Sequence, residues 1–177
     1  YIMSENKNKL SRKFFSRDVL DVAPDLLGRV LVRRGRGGKE TRDIITEVEA
    51  YRGERDLACH ASKGKTKRTE IMYDEAGLIY TYLIYGKYWL LNIVTGEKGI
   101  PQAALIRATK EADGPGKVSM MFDINESFYG VDITKPSKIW IERSDIILPN
   151  YKQLPRIGVQ YAGDWAKKPW RFIMEDL

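Results

Sequence analysis

The 177-residue chain has one cysteine, Cys59, and one histidine, His60. A single thiol excludes an internal disulfide and a single imidazole excludes the usual zinc clusters. A reducing compartment is therefore expected, the cytoplasm and nucleoid of a prokaryote or the nucleus of a eukaryote. No GxSxG, HExxH or CxxC pattern occurs, which removes serine-hydrolase, zincin and thiol-redox chemistry. GPGK at 114–117 falls short of a phosphate loop, because Glu111 and Val118 stand where that pattern needs a glycine and a Ser or Thr. The N-terminal YIMSENKNKLSRKFF has no apolar run behind its charges, so it does not read as a secretory signal. No repeat, low-complexity tract or Pro/Gly/Ser linker divides the chain. One domain over residues 1–177 is expected, with 1–15 as a flexible N-terminal extension.

What the chain does have is positive charge and aromatic rings. Thirty Lys and Arg against 24 Asp and Glu give a net charge of +6, which favours a polyanionic partner. Ser62–Arg68 (SKGKTKR) holds four cations without a carboxylate, a pattern that serves a solvated loop or a phosphate contact. Ala76–Thr95 reads AGLIYTYLIYGKYWLLNIVT, with one charge and four tyrosines. It is long enough to span a membrane, but Lys87 would sit near the bilayer centre and the tyrosines fall inside the run. Its period-two alternation reads instead as a β-hairpin turning at Gly86-Lys87. Such a hairpin is either ordinary core or, on a basic protein, a tool for parting stacked bases.

The rest of the chain predicts an α+β domain with a curved, largely antiparallel sheet, flanking helices and this protruding hairpin. Ser16 is the expected N-cap of a short helix through Leu20, and Pro24 the start of a second that Gly28 ends. Strands are expected at Arg29–Arg34, Asp43–Tyr51 and Ala103–Arg107, and a helix at Gly116–Phe122. A polar loop covers 52–70, and a short strand and a Trp-rich ending lie within 156–177. Alternation in Asp43–Tyr51 places Ile45, Glu47, Glu49 and Tyr51 on one face. On a solvated edge those carboxylates would be unremarkable. In a cleft, burial would raise the proton affinity of Glu49 and suit it to general-base work on a water. Arg107 closes an apolar strand and Asn92 interrupts another, so each needs a polar partner. A lone loop histidine such as His60 is more often structural than catalytic.

Together, VAPDLLGRVLVRR, ITEVEAYRGERDLACHASKGKTKR, YLIYGKYWLLNIVT, QAALIRA, GPGK, RIGVQYAGDW and WRF resemble the alkyladenine (3-methyladenine) DNA glycosylases of mammals and many bacteria. The segments follow the family's order over nearly the whole chain. The resemblance implies hydrolysis of the N-glycosidic bond of damaged purines in double-stranded DNA by a monofunctional enzyme, expected as a monomer, that needs neither metal nor cofactor. It further implies Glu49 as the base that deprotonates water and Arg107 as the group holding that water. Tyr51, His60 and Tyr82 would sandwich the flipped base, with Asn92 excluding guanine at the pocket wall. Tyr85 would fill the gap in the duplex, with Lys87 beside it at the tip. Lys65, Lys67, Arg68, Gly116 and Lys117 are candidate contacts to the DNA backbone. Two places depart from the family pattern: in the segment after the basic loop Thr69 and Tyr73-Asp74 replace Asn and Phe-Gly, and at the hairpin tip Lys87 replaces an apolar residue of the mammalian type.

Two other readings use the same residues. A catalytically idle module binding damaged DNA would employ the same hairpin and basic loops. A hydrolase of free nucleosides would leave the tyrosine-tipped hairpin without a role.

Overall fold

The protein is described here by a computed structural model covering residues 8–147 and 149–176. β1 (Val30–Arg34) pairs antiparallel with the first part of β2 (Glu40–Arg52), Val30 standing opposite Ile44. The hairpin forms as expected from β3 (Ile79–Ile84) and β4 (Tyr88–Thr95). β4 pairs in turn with β5 (Gln102–Thr109), which lies against the second part of β2. β6 (Ile139–Glu142) borders β1. β7 (Tyr151–Leu154) pairs with β8 (Arg171–Met174), which joins Glu47–Glu49 of β2 on the edge away from β5. The strand order β3-β4-β5-β2-β1-β6, with β8 attached to β2 and β7, is antiparallel at every described pairing and curls into a half-barrel. No helix among the described residues is long and apolar enough to cross a membrane.

β2 is not regular along its length. Register shifts between Ile45 and Glu47 and between Glu47 and Val48 mark a bulge. An extra residue in one strand reverses the alternation of side chains. Ile45 therefore packs in the main core with Val48 and Ala50, while Glu49 and Tyr51 face the other way. The expected four-residue face loses its first member.

The N-terminal helices also differ from expectation. α1 (Arg12–Phe15) ends at Ser16, and α2 (Val19–Leu26) starts from Asp18, whose carboxylate accepts the Leu20 N–H at 2.9 Å. Asp18 outcompetes Ser16 as a cap because its position admits a side-chain bond to the first turn, and Ser16 instead donates to Arg12 O. Pro24 lies inside α2, close enough to its end that only one backbone bond is forgone. Gly28 follows in the left-handed region (φ 80°), where a Cβ would meet Ile146 Cγ2 at 2.9 Å. Residues 1–7 of the expected extension lie outside the described residues. From Asn8 the chain is anchored, with Leu10 and Phe15 buried and the Leu10 N–H donated to Ile141 O at 2.8 Å.

The two faces of the sheet are covered differently. One carries α1, α2 and α3 (Pro115–Met121), with Phe15, Val22 and Leu26 against Val48, Ile93 and Ile106. The other lies under the 53–73 loop, where Cys59, Ala61 and Met72 pack on Tyr80, Val94 and Ala103. That loop is tied down by a buried ion pair: Arg156 donates to Asp56 at 2.6 and 2.8 Å, and both side chains are fully buried. Arg156 also donates to Ala50 O (2.9 Å) and Trp165 O (3.1 Å), its guanidinium lying between the rings of Tyr51 and Trp170. Asp56 accepts the N–H groups of Arg52 and Ala58.

Removing one partner would strand a buried charge, so Asp56→Ala is expected to cost about 3–5 kcal/mol. Urea unfolding should show a lower midpoint at unchanged slope. An unchanged midpoint would contradict the assigned role.

Candidate active site

Alternation turns one face of β2, β5, β4 and β3 toward a cavity of about 440 Å³. The registers make a row across it: Glu49 opposite Leu105, Leu105 opposite Asn92, and Asn92 opposite Tyr80. Tyr51 stands two residues along β2 from Glu49, Tyr82 two along β3 from Tyr80, and Arg107 two along β5 from Leu105. All six polar or aromatic members of this set line the cavity with His60, Tyr85, Gly116, Ile157 and Tyr161.

Glu49 is 0% exposed. Its Oε1 accepts the Tyr51 hydroxyl at 3.0 Å and Arg107 Nη1 at 3.4 Å, and its Oε2 accepts the Ile157 N–H at 2.7 Å. Burial raises its proton affinity above the ordinary carboxylate value, and Arg107, the Ile157 N–H and the Tyr51 hydroxyl oppose that rise. Arg107 is itself held by Glu47, its Nε donating to Glu47 Oε1 at 3.1 Å.

His60 Nδ1 lies 2.8 Å from the Tyr80 hydroxyl, and its ring meets Tyr82 edge-on at 4.6 Å between centroids. Burial, with the nearby Arg68 and Lys63 cations, lowers its pKa to about 4, so the imidazole is neutral at physiological pH. Asn92 is buried, and its amide donates to Leu90 O at a long 3.5 Å. Such a bond is at the geometric limit, which leaves the amide available to the cavity.

The hairpin tip is Tyr85-Gly86-Lys87. Tyr85 is 88% exposed and holds φ 53°, a left-handed conformation uncommon for a residue with a side chain. Lys87 places its ammonium over the Tyr88 ring at 5.1 Å, and a Cβ on Gly116 would meet that ring at 3.1 Å. The tip thus stands on Tyr88, which rests on the start of α3.

The chain matches the family model described as methylpurine-DNA glycosylase over residues 13–112 and 109–177. It is 41% identical over 186 residues to a protein of Methanocella arvoryzae, covering 92% of this chain and 90% of that one. A protein of Legionella pneumophila strain Corby is 42% identical over 175 residues, 95% of each chain. One of Rickettsia rickettsii is 39% identical over 175 residues, 95% of this chain and 91% of that one. All three are named "Putative 3-methyladenine DNA glycosylase". The chain belongs to the methylpurine-DNA glycosylase family.

Of the residues that the glycosylase resemblance singled out, the structure brings Glu49, Arg107, Tyr51, His60, Tyr82, Asn92, Tyr85 and Gly116 to one cavity. Lys87 stays outside it. Arg68 lines a smaller adjoining cavity of about 310 Å³ and lays its guanidinium over the Tyr82 ring at 5.3 Å. Lys65, Lys67 and Lys117 are exposed, Lys65 with its ammonium 5.7 Å from the centroid of the Tyr73 ring. Among the described residues no group of three or more His, Cys, Asp and Glu is placed to hold a metal ion.

Sequence reasoning missed Tyr80, the Ile157 N–H, Tyr161 and the Glu47 contact. Tyr80 had a signal, since it shares the face of Tyr82 at a spacing of two. The Ile157 group is backbone and carries none.

Because the folded pKa of Glu49 lies above the unfolded value, the native state binds more protons than the unfolded chain at pH values between the two. Stability from this group is full below the ordinary value of 4.5 and is lost as pH rises through the folded value. Glu49→Gln, which cannot ionise, should therefore gain thermal stability over the parent as pH rises from 4.5 toward neutrality. Melting temperatures in which the parent gains on the variant over that range would refute this.

Proposed function

We propose that the protein is a monofunctional glycosylase that flips alkylated or deaminated purines out of duplex DNA and hydrolyses their N-glycosidic bond. The observation that carries this reading is a fully buried carboxylate, Glu49, in a cavity walled by the rings of Tyr51, Tyr82 and His60 beneath an exposed tyrosine on a protruding turn. Family membership and the names of the relatives agree with it.

In this reading Glu49 takes a proton from water and Arg107 orients that water. The oxygen bonds to C1′ as the bond to the base nitrogen breaks, leaving an abasic sugar and a base that departs with the electron pair. A carboxylate with raised proton affinity is a stronger base than an exposed one, and a positioned base contributes about 10²–10⁴-fold. A cationic alkylpurine leaves as a neutral molecule and needs no acid. Tyr51 and Tyr82 offer π faces to the extruded base, with neutral His60 at its edge and the Asn92 amide as a filter at the pocket wall. Extrusion costs a few kcal/mol, which Tyr85 partly offsets by taking the vacated place in the stack. The cations of the 62–68 loop and Lys117 meet the phosphate backbone.

The test is a panel of duplexes carrying hypoxanthine, ethenoadenine or methylated purines, assayed for abasic product. The parent should release at least one of these bases, and Glu49→Gln should lower the rate by about 10²–10⁴-fold. Damaged-DNA binding without product in either protein would make this a binding module instead. For the wedge, Tyr85→Ala should reduce the fluorescence of a flipped base analogue, with a smaller loss opposite a mispair. An unchanged flipping equilibrium would remove Tyr85 from that role.

A further inference from the structure

Arg107 does not grip Glu49 as an unrestrained arginine grips a carboxylate. Free guanidinium–carboxylate pairs favour two parallel bonds of about 2.7–2.9 Å. Here one nitrogen reaches Glu49 at 3.4 Å, while Nε is turned to Glu47 at 3.1 Å. Glu47 is in turn fixed from the far side by Arg171, whose Nη1 donates to the same Oε1 at 3.1 Å and whose Nε donates to Pro155 O at 2.8 Å. All three side chains are largely buried, with exposures of 12%, 13% and 17% for Arg107, Glu47 and Arg171, so bulk water screens the set weakly.

We propose that Glu47 is a positioning residue: anchored by Arg171, it holds Arg107 back from Glu49 and so keeps Glu49 able to take up a proton. The proposal rests on the general-base reading of Glu49 and adds the device that tunes that base. The sheet explains the arrangement. Glu47 and Glu49 are two apart on β2 and face the same side, β5 brings Arg107 between them, and β8 pairs with β2 so that Arg171 stands opposite Glu49 in register. Without the Glu47 charge, Arg107 is free to close on Glu49 with both arms. Its full positive charge would then favour the ionised carboxylate and weaken it as a base. Without Arg171, Glu47 turns wholly to Arg107 and draws it further away, and one positive charge near Glu49 disappears.

The other groups facing Glu49 are constant in this comparison. They are the Tyr51 hydroxyl from β2, Tyr82 from β3, and the Ile157 N–H with the Arg156 guanidinium from the segment after β7.

The experiment follows the Glu49 carboxyl carbon by NMR in glutamate-labelled full-length protein, the signal being assigned by its loss in Glu49→Gln. Glu47→Gln keeps an oxygen at the same place and removes the charge, so Glu49 should titrate at lower pH than in the parent. Arg171→Met should move the titration the opposite way. The acid limb of the single-turnover rate of hypoxanthine release should move with each, and Glu47→Gln should lose about tenfold at neutral pH through the weaker base. A merely structural ion pair would lower stability without moving the titration. Unshifted titrations, or shifts in the same direction for both variants, would overturn the proposal. If Glu47→Gln does not fold, an Arg171→Met titration that fails to rise overturns it alone. A parent inactive on every lesion would defeat the glycosylase reading, while the titrations would still decide the role of Glu47.

Discussion

A carboxylate buried away from bulk solvent sets the terms for the rest of this structure. Isolated in a protein interior, an ionised carboxylate loses several kcal/mol of hydration, and it survives only where donors replace the lost water. Glu49 has a phenol from its own strand, a guanidinium from the neighbouring strand and a backbone N–H from the C-terminal segment. These three come from positions 51, 107 and 157, so the site exists only when the whole chain has folded. The donors restrain the carboxylate without cancelling the effect of burial, and its proton affinity stays raised.

The division of labour between the two faces of the sheet follows from strand alternation. On each of β2, β5 and β4 one set of residues builds an aliphatic core against the helices, and the interleaved set builds the cavity. Leu91 and Ile93 go one way, Leu90 and Asn92 the other. The bulge near Glu47 corrects the phase, so that Ile45 joins the core and Glu49 faces the cavity. The 53–73 loop closes the cavity side, and the Arg156–Asp56 pair fixes it while backing the Tyr51 ring with a cation.

How much was legible in the sequence depended on the range of the interaction. The hairpin was legible because its alternation is local and its turn has a glycine. Glu49 and Tyr51 could be placed on a common face for the same reason, and the order of the motifs carried the family. Ile45 was misplaced because a bulge depends on the partner strand, and no pattern within β2 announces it. The N-terminal helices were divided wrongly because Ser16 and Asp18 both suit a cap and Pro24 is tolerated near a helix end. The polar loop at 52–70 hid buried members, Asp56, Cys59 and Thr69, since its composition gives no sign of an arginine 100 residues away in sequence. What Lys87 rests on was not legible either: the tyrosine next to it in sequence lies beneath its ammonium.

The claim on which this account turns is that the buried carboxylate of Glu49 drives the bond cleavage as a base. The most direct measurement is the single-turnover rate of base release from a lesion duplex as a function of pH. The account predicts a rate that falls on the acid side with one ionisation lying above the ordinary glutamate value, and a Glu49→Gln variant in which that ionisation is absent. A rate independent of pH across the acid range, or an acid limb that persists in Glu49→Gln, would contradict it.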